Sequence, residues 1–172
     1  RLQQENRAFH HYKDQVIFEK NEILTQAGKP YGVFTPYKNA WLKTLEDGHL
    51  QPYPVESQIK NLAPISQPSA LPSLASIGFA ATNLSELGIK PGMQGGLALF
   101  EDFKNRMVHY QEARNFPAVK GPSYLSVHLR FGTVSIRQLA REAHARMQAG
   151  STGASVWLSE LIWRDFYVQV LH

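Results

Sequence analysis

Residues 50–80 limit the fold of this 172-residue chain more than any other stretch. Five of the ten prolines fall there: Pro52, Pro54, Pro64, Pro68 and Pro72. Proline removes a backbone donor and biases the preceding residue to extended conformations, so no long helix runs through this stretch. Between Gln51 and Ala81 the only charges are Glu56 and Lys60. A freely solvated disordered linker would be richer in charge. The stretch reads as a long connector packed along the surfaces it joins, and a connector of this length points to a junction between two units. The expected division is 1–48, a connector over 49–91, and 92–172.

Before the connector, QVIFE (15–19) is a short β-branched and aromatic run, read as a strand. Gly28-Lys29-Pro30 marks a turn, and a second short β-like patch follows over 31–34. Thr35 and Pro36 then suit a helix start, as N-cap and first helical residue. Tyr37, Ala40, Trp41 and Leu45 would share one face of that helix, and Gly48 would stop it. Strand, loop and helix in this order read as the tail of an α/β unit.

After the connector the period changes to 3.6. Leu97, Leu99, Phe100, Phe103, Met107 and Tyr110 form an apolar stripe, and the chain breaks at Asn115-Phe116-Pro117. A Gly-, Ser- and aromatic-rich segment follows over 121–135. A further helix is expected from Ser135, as N-cap, to Gly150. The last segment, TGASVWLSELIWRDFYVQVLH, is mostly apolar and has no stop signal before His172. With no initiator Met at the other end, the expectation is that the sequence is a piece of a longer chain.

Composition narrows the classes of function. Hydrophobic residues make up 43 % and charged residues 19 %, which suits a folded chain with a real core. No window approaches 18 apolar residues, so no transmembrane helix is expected. With no cysteine there can be no disulfide, thiolate metal site or Cys nucleophile. That is consistent with a reducing, cytoplasmic location. The histidines show no metal-ligand spacing, so no metal is expected. The formal net charge of +4 permits a polyanionic partner.

The last helix carries the densest chemistry. Trp157, Glu160, Arg164 and Tyr167 are related by steps of three and four and share a face. Trp163 lies about 100° around from that line, near enough to border the same cavity. Leu158, Leu161, Ile162 and Phe166 on the other side would pack inward. Glu160 and Arg164 then become partly buried charges that need partners or a function. One reading makes them an i, i+4 ion pair on a core helix. The other makes the face a binding site.

The segment WLSELIWRDFY resembles the signature of the DNA photolyase/cryptochrome family, and within it the bacterial class I cyclobutane pyrimidine dimer photolyases. GKPYGVFTPYKNAWLKTL (28–45) is similar to the end of that family's α/β antenna domain. GGLALFEDF (95–103) and YQEARNFPAVKGPSYLSVHLRFGTVSIRQL (110–139) are similar to the opening of its helical FAD-binding domain. The implied architecture is an α/β antenna-domain remnant over 1–48, then the start of an all-α FAD-binding domain.

The resemblance implies light-driven repair of cyclobutane pyrimidine dimers in DNA by electron transfer from excited reduced FAD, a carbon–carbon lyase reaction. It assigns FAD binding to Tyr110, to Pro122, Ser123, Tyr124, Leu125 and Ser126, and to Trp157 and Arg164. Hydroxyls and loop amides suit flavin phosphates. Pro122 stands where the family commonly has Thr, and proline offers neither hydroxyl nor amide. Glu160 is the carboxylate expected on a flipped-out dimer, Trp163 the ring packed on it, and Arg164 the cation near the flavin ring. Glu160, Trp163 and Arg164 are thus the expected catalytic residues, and with Tyr167 the expected DNA contacts. Of Lys104, Arg106, Arg114, Lys120, Arg130, Arg137, Arg141 and Arg146, some are expected on phosphates. The Arg137, Arg141, Arg146 series shares an amphipathic helix with Glu142 and is not assigned to DNA. The expected partner is ultraviolet-damaged DNA, the antenna methenyltetrahydrofolate or a deazaflavin, and the state of the full-length protein monomeric. Much of the flavin pocket and antenna site would lie outside these residues, so this piece alone is expected to be inactive. A cryptochrome-like photoreceptor without repair, and a non-catalytic DNA-binding helical unit, are the competing functions.

Overall fold

The computed structural model describes residues 2, 4–64, 70–84 and 86–172. Seven α-helices and three short 3₁₀ turns appear among them, and no strand. The α-helices are α1 (Phe34–Thr44), α2 (Asp47–Leu50), α3 (Gly92–Arg106), α4 (Tyr110–Ala113), α5 (Ser126–Phe131), α6 (Ile136–Gln148) and α7 (Thr152–Val170). The helix α7 is central, and α1, α4 and α6 pack around it. Its N-cap is Ser151, whose hydroxyl accepts from the Ala154 N–H at 3.2 Å. That bond satisfies one of the orphan donors of the first turn. The expected inward face is buried as read, with Leu158, Leu161, Ile162 and Phe166 all in the core.

The expected 3.6-period stripe buries Phe100, Phe103, Met107 and Tyr110, but its first member Leu97 is exposed and the stripe does not stay one helix. It becomes α3, a 3₁₀ turn at Met107–His109, and α4. The tighter turn re-aims the chain so that Phe100, Phe103, Met107 and Tyr110 all reach α7. Gly153 permits this close docking. A Cβ on it would lie 2.1 Å from the Met107 carbonyl oxygen and 2.5 Å from that of Val108. The expected helix after Ser135 forms with Ser135 as N-cap, ends at Gln148, and is followed by Gly150 at φ +90°.

The N-terminal part departs from its α/β reading. The expected strands at 15–19 and 31–34 do not form. Val16, Ile17 and Phe18 are buried in irregular backbone. Their β-branched and aromatic side chains suit a buried surface, but no second strand faces them. The Ile17 and Phe18 N–H groups bond instead to a carboxylate on α7, at 3.1 and 3.2 Å. Side chains can suit a strand, but a strand exists only where backbone donors meet another strand. Helix α1 begins at Phe34, so Thr35 and Pro36 fall inside its first turn and Val33 is the N-cap. It ends at Thr44, before Gly48, which belongs to the separate short helix α2.

The connector also differs from its expected packing. It is fastened at its start, where Arg141 donates to the Leu50 carbonyl and Arg137 to the Tyr53 hydroxyl. Beyond Tyr53 its described residues up to Pro91 are exposed; Leu71 is 93 % exposed and Leu62 72 %. Pro68 falls outside the described residues. Residues from both sides of the connector nevertheless share one core cluster: Ile17, Phe18, Tyr37 and Trp41 with Phe103, Leu139, Leu158 and Ile162.

Candidate functional site

A cleft of about 310 Å³ opens between α7, α4 and the loop that leads into α5. From α7 it receives Trp157, Glu160, Leu161 and Arg164, whose spacing turns them to one side of the helix. Tyr110 begins α4 and forms the facing wall. Pro122, Ser123, Tyr124, Leu125 and Ser126 supply the rim, and Leu129 of α5 completes it. Gly121 brings that rim close. A Cβ there would lie 2.4 Å from the Ala113 carbonyl oxygen, so any larger residue would push the loop off α4. Tyr124 sits at φ +57°, a left-handed conformation uncommon outside glycine, and its ring is half exposed.

The walls are aromatic and fixed. Trp157 is buried against Phe103 at 4.7 Å and Phe100 at 6.1 Å between ring centres. Tyr110 stands edge-on to Phe103 at 5.7 Å. Burial pushes the Tyr110 phenol above its ordinary value, while the Arg114 charge pulls it down and the Glu160 carboxylate pushes it up.

The two α7 charges do not pair with each other. Arg114 donates to the Glu160 carboxylate at 2.5 Å, and its guanidinium also lies 5.3 Å over the Tyr110 ring. Arg164 instead donates to the Gln15 carbonyl and, at 3.4 Å, to the Leu129 carbonyl. Burial draws the Arg164 guanidinium below its ordinary value, against the opposing pull of Asp165. The i, i+4 ion-pair reading is therefore not the arrangement seen. Spacing places Glu160 and Arg164 near one another, but each finds a partner from a different element.

Trp163 and Tyr167 do not line the cleft. The Trp163 ring stacks on Phe34 of α1 at 3.6 Å and 7°, and its neighbour Tyr167 stacks on it at 5.4 Å. Tyr167, in the last turn of α7, is exposed. Among the basic residues, Lys104 pairs with Glu101, Arg146 with Glu142, and Arg106 and Lys120 with Asp102. Arg137 is buried on the Tyr53 ring and Arg141 binds the connector, while Arg130 is exposed.

Sequence reasoning missed Asp165. It lies on the face of α7 read as wholly apolar and is 1 % exposed. Its Oδ2 accepts from the Ile17 and Phe18 N–H groups and from the Trp41 indole N–H at 3.1 Å. Burial raises its carboxyl to about 6, although these donors and Arg164 pull the other way. The signal was present: an acid within an apolar helix needs a partner by the same logic applied to Glu160. Among the described residues no group of three His, Asp or Glu is arranged to hold a metal, and no helix is long and apolar enough to cross a membrane.

Residues 1–57 match the DNA photolyase family. The chain is 36 % identical over 159 residues to the deoxyribodipyrimidine photo-lyase of Escherichia coli (strain K12), covering 91 % of this chain and 33 % of that protein. It is 34 % identical over 162 residues to the deoxyribodipyrimidine photo-lyase of Vibrio cholerae, with 91 % and 33 % covered. The crystal structure of a bacterial class III photolyase from Agrobacterium tumefaciens superposes with a TM-score of 0.80 at 25 % identity, over 99 % of this chain and 36 % of that one. The chain spans about a third of the length of these relatives.

Proposed function

This chain belongs to the DNA photolyase family, and on that premise we propose that it serves the light-driven repair of cyclobutane pyrimidine dimers in DNA. The observation that carries the reading is the convergence in the cleft. Tyr110, the stretch from Pro122 to Ser126, Trp157, Glu160 and Arg164 come from three separate segments and line one cavity. The residues present fit a flavin dinucleotide: flat aromatic walls, the Ser123 and Ser126 hydroxyls, and a fixed guanidinium at Arg164. When bound and reduced, FAD supplies on excitation the electron that opens the cyclobutane ring and then returns.

This chain's own residues do the rest. Trp157 and Tyr110 shape the wall and exclude water from it. Ser123 and Ser126 offer hydroxyls to phosphate, a task in which Pro122 takes no donor role. Arg164 holds positive charge beside the site, which favours anionic species there. Glu160 offers a carboxylate to the extruded lesion, and Arg114 fixes its orientation. Extruding a damaged pair costs a few kcal/mol, and aromatic packing recovers part of it. The match over residues 1–57 supports reading 1–48 as the end of an antenna domain, 49–91 as the connector and 92–172 as the opening of the flavin domain. A methenyltetrahydrofolate antenna and a monomeric cytoplasmic enzyme complete the proposal.

The decisive experiment illuminates reduced, FAD-loaded full-length protein with a dimer-containing oligonucleotide. Restored pyrimidines are expected; intact dimers would move the reading to a photoreceptor without repair. In the same assay Glu160→Ala should lower repair yield about tenfold while FAD stays bound. Trp163 is stacked on Phe34 outside the cleft, so a contact with the lesion requires that ring to be uncovered on binding; Trp163→Ala should then weaken binding to dimer-containing DNA about tenfold. Unchanged affinity would leave Trp163 as a packing residue between Phe34 and Tyr167.

A further inference from the structure

Two adjacent charges on α7 grip neighbouring residues of one short stretch of the N-terminal segment. Arg164 donates to the Gln15 carbonyl. Asp165 accepts from the Ile17 and Phe18 N–H groups. The third donor to Asp165 is the indole of Trp41, which ties in α1, and the Phe18 ring stands edge-on to that indole at 5.5 Å. Arg164 faces the cleft and Asp165 faces the core, so residues 15–18 connect the two.

We propose that Asp165 is a positioning residue: by fixing residues 15–18 against α7 and Trp41, it sets the carbonyl that holds the Arg164 guanidinium at the cleft. The proposal rests on the flavin reading of that cleft. It assigns the N-terminal segment a part in ligand binding although only Gln15 of it touches Arg164 and none of it lines the cleft. A carboxylate oxygen taking three N–H donors leaves little freedom to the backbone that supplies two of them. Loss of that acceptor frees the 15–18 backbone, and Arg164 keeps only its longer bond to Leu129.

A double-mutant cycle on the full-length protein tests this. Asp165→Ala, which removes the acceptor, should weaken FAD binding about tenfold when Arg164 is present and by less than about twofold in an Arg164→Ala background, because coupled sites are non-additive. Trp41→Phe, which keeps the two backbone donors and an aromatic ring, should show a smaller loss with the same dependence on Arg164. Amide hydrogen exchange of residues 15–18 provides a readout without flavin and should quicken in Asp165→Ala, which leaves the Ile17 and Phe18 N–H groups without their acceptor. Equal losses of FAD affinity in both Arg164 backgrounds would overturn the proposal, leaving Asp165 a packing residue. Unchanged exchange at 15–18 would overturn it as well. Failure of the unsubstituted protein to take up FAD would instead overturn the flavin reading on which the proposal stands.

Discussion

Replacing Gly153 by alanine should destabilise the protein by about 3 kcal/mol, the upper range for overpacking a core. The new methyl group would meet the carbonyl oxygens of Met107 and Val108 at 2.1 and 2.5 Å. Both are backbone atoms of the 3₁₀ turn, so no side chain can swing aside. Either α7 or the Met107–His109 turn must move. Because that turn leads directly into Tyr110 and α7 carries Trp157, the same movement would open the cleft wall. Thermal unfolding should fall by about 10 °C for a chain of this size. A melting temperature within about a degree of the unsubstituted protein would show that the helix docks less tightly than these distances require.

Between about pH 4 and 6, stability should decline by about 3 kcal/mol through Asp165 alone. Its carboxyl is raised from 3.8 to about 6 by burial, so the folded protein binds the proton more tightly than the unfolded chain does. The resulting stabilisation is fully present below pH 3.8, declines as pH rises, and is gone above about 6. The charge that acts on it is Arg164 on α7, which opposes the shift. Asp165→Asn cannot titrate, so the difference in urea stability between the two proteins should change across this window and be flat above it. Parallel profiles would show that Asp165 is not the group responsible.

The two predictions share a cause. Both concern places where α7 meets a segment far away in sequence with almost no space between them. Such places are hard to read from a linear pattern. Gly153 looks like an ordinary small residue near a helix start, and Asp165 like one polar position among many. Their meaning comes from the carbonyls of Met107 and Val108 in one case and the amides of Ile17 and Phe18 in the other.

Local periodicity made much of the helical part legible. The stripe from Phe100 to Tyr110 and the inward face of Leu158, Leu161, Ile162 and Phe166 follow from 3.6-residue geometry, which depends on neighbours within a turn or two. The cleft set was legible as a resemblance carried on separated motifs. What the linear pattern left open was the choice of partner. Glu160 and Arg164 sit one turn apart, yet Glu160 pairs with a residue 46 positions away and Arg164 with one 149 positions away. Likewise QVIFE has strand-forming side chains, but the Ile17 and Phe18 amides end on Asp165 and the Glu19 amide on Glu22, because those acceptors, and no second strand, lie within reach. Side-chain periodicity is a property of the chain, fixed by backbone geometry over a few residues. Hydrogen-bond and ion-pair partners are a property of the packed molecule, fixed by which distant group arrives within about 3 Å once the core has closed.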